Sequence, residues 1–311
     1  MTALGLGLAA VGRPAYLTGG RAADLPDRSV DGLRRRCHDL LDLARRLGVR
    51  HIDVARSYGR AEEFLAEWIA ERNPAPDELF VAGKWGYTYI GDWSLTAPVH
   101  EVKDHSLAAF RRQREETRAL LGDRLDLYRV HSLTPDSPAL TDPALHHALA
   151  GLAAEGVRAG ISTSGPRQAD AVRAALEITV DGVPLFSSVQ ATWNPLEPSV
   201  APALAEAREA GWLVVVKEGV ANGRLTGEEA PAALRRIAAE LGTGTDVVAL
   251  AAACHQPWAD VVLSGAATPA QLASNAAATA VRLTDDHLAE LAGLAEPADT
   301  YWRTRAARAW T

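Results

Sequence analysis

A chain of 311 residues that is 48% hydrophobic and 23% charged has the balance of a globular protein with a sizeable core, which excludes a disordered or fibrous chain. Thirty-two basic against 39 acidic residues leave a net charge of −7, with the arginines scattered rather than striped, so neither nucleic acid nor an anionic membrane is the expected partner. No apolar run approaches the roughly 18 to 20 residues of a membrane helix, and the first 17 residues lack the pattern of a signal peptide; the expected location is the cytoplasm and the expected partner a small molecule.

In chain order, Leu4–Leu8 reads as a strand. Leu33, Cys37, Leu40, Leu41, Ala44 and Leu47 then mark one face of a helix over 33–47, stopped at Gly48. Arg50–Val54 is the next strand, Phe64, Leu65, Trp68 and Ile69 mark a helix that ends before Pro74, and Leu79–Gly83 is the third strand. The alternation continues with strands at Leu125–Val130, Val157–Ile161, Leu185–Val189, Leu213–Val216 and Val261–Leu263. Helical spacing covers 103–121, 143–155, 167–178, 199–210, 245–255 and 269–279. Eight βα units without a linker predict an α/β protein, a single (β/α)8 TIM barrel spanning residues 1–311. The rival is an open doubly wound sheet, for which Gly5-Leu-Gly7-Leu-Ala-Ala10 is a loose dinucleotide-turn match. Four residues before Gly5 are too few for its strand.

Two cysteines, Cys37 and Cys254, stand far apart and outside any C-x-x-C, so buried thiols are expected and no metal site. Lysine is confined to Lys84, Lys103 and Lys217. Each therefore asks for its own reason.

Barrel catalysts sit where strands end. Asp53, Lys84 and His131 follow three consecutive apolar runs, and Ser162, Gln190, Lys217 and Ser264 follow later ones. Tyr58 lies in the turn after Asp53. A phenol beside a lysine ammonium is brought toward a working pKa, an aspartate anchors that lysine, and a histidine hydrogen-bonds a carbonyl oxygen. Taken singly, a tyrosine or histidine is packing; the four together form a catalytic set. Trp85, Tyr87, Tyr89 and Trp93 follow Lys84 and suggest an apolar wall beside it.

The stretch His51-Ile-Asp53, Tyr58-Gly59, Val81-Ala-Gly-Lys84 and Leu127-Tyr-Arg-Val-His131 resembles the Asp, Tyr, Lys and His tetrad of the aldo-keto reductases, and the likeness covers nearly the whole chain. Within the family it leans toward short-barrel sugar and pyridoxal dehydrogenases. The resemblance implies an extended NAD(H) or NADP(H), no metal, and a carbonyl or alcohol substrate, with Asp53, Tyr58, Lys84 and His131 catalytic. It also implies cofactor contacts: Ser162 and Gln190 at the nicotinamide amide, Lys217 near the nicotinamide, and Gly265, Gln271 and Asn275 in the late segment around the adenosine phosphate. Two positions depart from the family pattern. Thr163 stands where an Asn is usual, and Lys217 where many members stack an aromatic ring.

A 2′-phosphate needs Arg or Lys, yet Gly265–Asn275 holds neither. NAD(H) follows, with NADP(H) open if another loop, such as that of Arg224, supplies the charge. Two other readings stand beside hydride transfer: a nicotinamide-binding sensor or auxiliary subunit without turnover, and a barrel lyase or isomerase with Lys217 as a Schiff-base lysine.

Overall fold

A computed structural model describes residues 2–16 and 21–310. Eight parallel strands close into a barrel in chain order: β1 (Ala3–Gly7), β2 (His51–Asp53), β3 (Phe80–Trp85), β4 (Leu125–Leu133), β5 (Arg158–Thr163), β6 (Ser188–Thr192), β7 (Leu213–Lys217) and β8 (Val261–Ser264). The seam pairs β1 with both neighbours, Gly5 opposite His51 on one side and Leu263 on the other. The expected (β/α)8 barrel is therefore the fold, and the open sheet is excluded. Gly5 has a packing reason instead: a Cβ there would lie 2.6 Å from Leu263 Cδ2 and 3.0 Å from Val261 Cγ1, inside the barrel.

The helix Val30–Arg46 buries Leu33, Cys37, Leu40, Leu41 and Ala44 against the strands, and Ser29 caps it by accepting the Gly32 amide. Cys37 and Cys254 are free thiols, and burial pushes the Cys37 pKa up. Among the described residues no single helix is long and apolar enough to cross a membrane.

Several boundaries differ from the sequence expectation. Strands β3 to β7 run on past the apolar residues that announced them, through polar residues such as Lys84, His131, Thr163, Thr192 and Lys217. The sixth strand is the largest case: Leu185–Val189 was expected, and Ser188–Thr192 is found, with Gln190 in its middle. The helix expected from 103 starts at Leu107, capped by Ser106. Glu101–Lys103 instead pairs antiparallel with Tyr87–Tyr89, forming a hairpin over the mouth.

Candidate active site

Asp53 ends β2, and the chain then turns through Ser57, Tyr58 and Gly59. Gly59 has φ of +59°, and a Cβ on it would lie 2.5 Å from the Gly12 carbonyl, so glycine is what lets this turn pack on the loop after β1. Arg60 N–H donates to that same carbonyl at 2.8 Å. The result is a Tyr58 ring fixed at the C-terminal mouth and 8% exposed.

Lys84 is fully buried on β3 and donates to Asp53 Oδ2 at 2.5 Å; its Nζ lies 4.8 Å from the Tyr58 ring centroid. His131, half-buried on β4, meets the Tyr58 ring edge-on at 5.6 Å. The four residues expected to act together are thus brought together. Burial pushes Lys84 down to about 8, with Arg129 and Lys217 lowering it further against the pull of Asp53. One expectation is corrected. Lys84 does not draw the phenol toward neutrality: burial first, and then the Asp53 carboxylate, hold Tyr58 well above the usual tyrosine range. The phenol therefore keeps its proton at neutral pH.

His131 is held well below the usual histidine range by burial and by Lys84 and Lys217, so its ring is neutral. Ser57 Oγ lies 3.4 Å from Nδ1; with that nitrogen accepting, the proton sits on Nε2, free to donate to a carbonyl oxygen. The backbone beneath is built around this ring. β4 and β5 lose register between Val130 and Leu133, and Ser132 takes φ of +53°. His105 anchors the His131 carbonyl through Nε2 at 2.8 Å, its Nδ1 lying 2.6 Å from Ser137 Oγ, and Ser162 Oγ accepts the Ser132 amide at 2.9 Å.

The residues expected at a cofactor divide into two groups. Ser162 reaches the mouth with its hydroxyl proton still to give, and Gly265 is open, a Cβ there meeting nothing within 4 Å. Lys217 also reaches the mouth, its Nζ donating to Thr192 Oγ1 at 2.7 Å and standing 3.6 Å from Glu218. Burial pushes Glu218 up, but Arg305 and Lys217 bring it down to about 2. Burial holds Lys217 below the usual lysine range, against the pull of Glu218, with which it is ion-paired.

The second group is engaged elsewhere. Gln190 donates through Nε2 to Asp53 Oδ1 at 2.7 Å, so its amide faces into the barrel rather than outward to a ligand. Gln271 closes a capping box, its Oε1 accepting from Ala267 N at 2.8 Å and its Nε2 donating to Asp24 at 2.9 Å. With its amide oriented to satisfy both ends, Asn275 donates to Asp246 Oδ2 at 2.9 Å and accepts from Ser264 Oγ at 2.8 Å. Thr163 turns inward to Gln168 at 3.3 Å. Arg224 is ion-paired with Glu296, whereas Arg36 reaches the Ala267 carbonyl at 3.5 Å. The segment Gly265–Asn275 is therefore flanked by the carboxylates of Asp24 and Asp246 and approached by one guanidinium.

The aromatic wall is narrower than the sequence suggested. Trp85 is core, packed against Phe110 at 5.0 Å, and Trp93 spends its indole N–H on the Arg28 carbonyl. Tyr87 remains at the mouth, 5.1 Å from the His131 ring. Four residues that sequence reasoning passed over, Arg13, His100, Glu101 and Trp310, complete the rim. Arg13 pairs with Glu101 at 2.8 Å and lies over the rings of Tyr58 and Trp310, and Trp310 stacks on His100 at 4.6 Å. Nothing in the local sequence signals these contacts, because they join the two ends of the chain to a loop.

Comparison with known proteins assigns the chain to a family. Residues 34–296 match the model of the Aldo/keto reductase family. The chain is 24% identical over 298 residues to the aldo-keto reductase str7 of Strobilurus tenacellus, covering 84% of this chain and 81% of that protein. Among solved structures it resembles the holo form of the aldo-keto reductase AKR11C1 from Bacillus halodurans, with a TM-score of 0.70, 21% identity and coverage of 95% and 92% of the two chains. PA4992 of Pseudomonas aeruginosa, described as an aldo-keto reductase, gives a TM-score of 0.64 at 25% identity, with 89% and 88% covered.

Proposed function

The chain belongs to the aldo/keto reductase family of carbonyl oxidoreductases, and on that premise we propose that it is a nicotinamide-dependent oxidoreductase in which Tyr58 moves the proton. One observation carries the reading: a protonated, nearly buried phenol stands between a lysine ammonium and a neutral imidazole at the mouth of the barrel.

A bound nicotinamide supplies the hydride. His131 Nε2–H donates to the substrate carbonyl oxygen and fixes which face is presented. Tyr58 gives its proton to the oxygen as negative charge develops there, and Lys84, held by Asp53, stabilises the phenolate left behind. In the oxidative direction the same residues run in reverse. The donor chemistry at the mouth fits the nicotinamide and pyrophosphate end of such a cofactor: the Ser162 hydroxyl, the Lys217 ammonium and the open approach at Gly265. At the adenosine end, two carboxylates and a single guanidinium favour a ribose diol over a 2′-phosphate, which supports NAD(H).

Titrating the protein with NADH and with NADPH, and reading its tryptophan fluorescence, tests the cofactor half. Assaying a panel of aldehydes, ketones and sugars tests the rest. Failure to bind either nucleotide would overturn the proposal.

A further inference from the structure

Asp53 accepts hydrogen bonds from three side chains. Lys84 takes Oδ2 at 2.5 Å, while Gln190 at 2.7 Å and Arg129 Nη1 at 3.5 Å share Oδ1. Arg129 lies on β4 two residues before His131 and is fully buried. Its Nε and Nη2 both reach Ser188 Oγ, at 3.3 and 3.1 Å, so the guanidinium bridges β2 and β6 through the barrel centre. Gly160 on β5 leaves the room: a Cβ there would stand 3.2 Å from Arg129 Cγ. A charge in such a place is costly unless paired, and a leucine would fill the volume without that cost. Asp53 is the carboxylate that pairs with it.

We propose that Arg129 is a positioning residue for proton transfer, holding Asp53 from inside the barrel so that its charge is divided between two cations rather than belonging to Lys84 alone. This rests on the reading of Lys84 and Tyr58 as the proton-handling pair. With Lys84 charged, the cluster of Asp53, Lys84 and Arg129 carries a net +1; when Lys84 loses its proton the cluster is neutral. The other groups that act on Lys84 do not reverse this. Tyr58 covers it from the loop after β2 and is protonated; His51 on β2 and His131 on β4 are both held neutral; Lys217 on β7 adds a further positive charge, backed by Glu218 and Arg305. Burial does most to bring Lys84 down, Asp53 opposes it, and Arg129 lowers it further by drawing on the same carboxylate.

The chain's three lysines make the test direct. In protein labelled with [15N]lysine, the Nζ of Lys84 is assigned by loss of its signal in Lys84→Met and followed against pH. Arg129→Met should raise the Lys84 midpoint by at least one pH unit, and the basic limb of the kcat profile should move with it. Arg129→Lys, which keeps the charge, should stay within half a unit of the native value. Should Arg129→Met not fold, Arg129→Gln keeps a donor for Ser188 without the charge, and the same rise is expected. An unmoved Lys84 midpoint in the neutral variant overturns the proposal. If Tyr58→Phe instead retained turnover, the proton-transfer reading would fail while the Lys84 titration stood.

Discussion

The Lys84 ammonium faces the Tyr58 ring at 4.8 Å, yet gives its hydrogen bond to Asp53 rather than to the phenol. In the resting site the lysine charge faces a carboxylate that it shares with Arg129. In the proposed reaction that charge becomes available to Tyr58 when the phenol gives up its proton.

Tyr58→Phe removes that proton while leaving the ring against Arg13 and His131. Turnover should fall by about a hundredfold or more, the scale of a lost general acid, with nucleotide affinity unchanged. Near-native kcat in this variant would rule out Tyr58 as the proton donor.

The pH dependence follows from Lys84 and His131. Lys84 is pushed down to about 8, so it is charged below that value and loses its charge as pH rises through it. Reductive kcat should be level from about pH 6 to 7 and decline through about 8. His131, held well below the usual range, contributes no transition near 6.5. Initial rates at saturating cofactor across pH 5.5 to 9.5 would show it; an acid limb near 6.5 would mean a charged His131 and contradict the neutral ring.

On the proposed function, cofactor choice turns on the segment after β8. One charge-assisted hydrogen bond contributes roughly 1.5 to 3 kcal/mol, and with Asp24 and Asp246 flanking the segment NADPH should lack any large advantage over NADH. Gly265→Arg adds a cation at an open position and should tighten NADPH about tenfold while sparing NADH. A hundredfold preference for NADPH in the native protein would point to Arg36 as the source of charge, since Arg224 is held by Glu296.

Much of this site was legible because strand alternation and chain order place Asp53, Lys84 and His131 on neighbouring strands. What the tetrad residues do to one another was not. The fate of the Tyr58 proton depends on desolvation and on which partner the lysine bonds, and neither is written in spacing. Gln190 and Gln271 illustrate the same limit. Both occupy expected positions, but an amide has two ends, and neighbours distant in sequence captured them. Arg129 did carry a signal, an arginine within an apolar strand and two residues from His131. Reading the strand only for its end concealed it.

The C-terminal helix Ala298–Ala306 is tied to the mouth by Arg305, which grips Glu218 through Nε and Nη2 at 2.8 and 2.6 Å. Arg305→Met leaves that carboxylate buried with Lys217 as its remaining close cation and should cost about 3 kcal/mol, read from urea unfolding. A change under about 0.5 kcal/mol would reduce the pair to surface decoration.

The hydrogen bond from Gln190 to Asp53 joins residues 137 apart in the chain and spans the barrel from β6 to β2, its opposite wall. Neither the N-terminal nor the C-terminal half of the chain contains both ends of it. A fragment ending after β4 would present Asp53, Tyr58, Lys84 and His131 in sequence but without the far-side donor that orients the carboxylate. Catalytic competence should therefore arrive last in folding, after the loop entropy of closing the whole cylinder has been met, and recovery of turnover should lag the recovery of helix signal on dilution from denaturant.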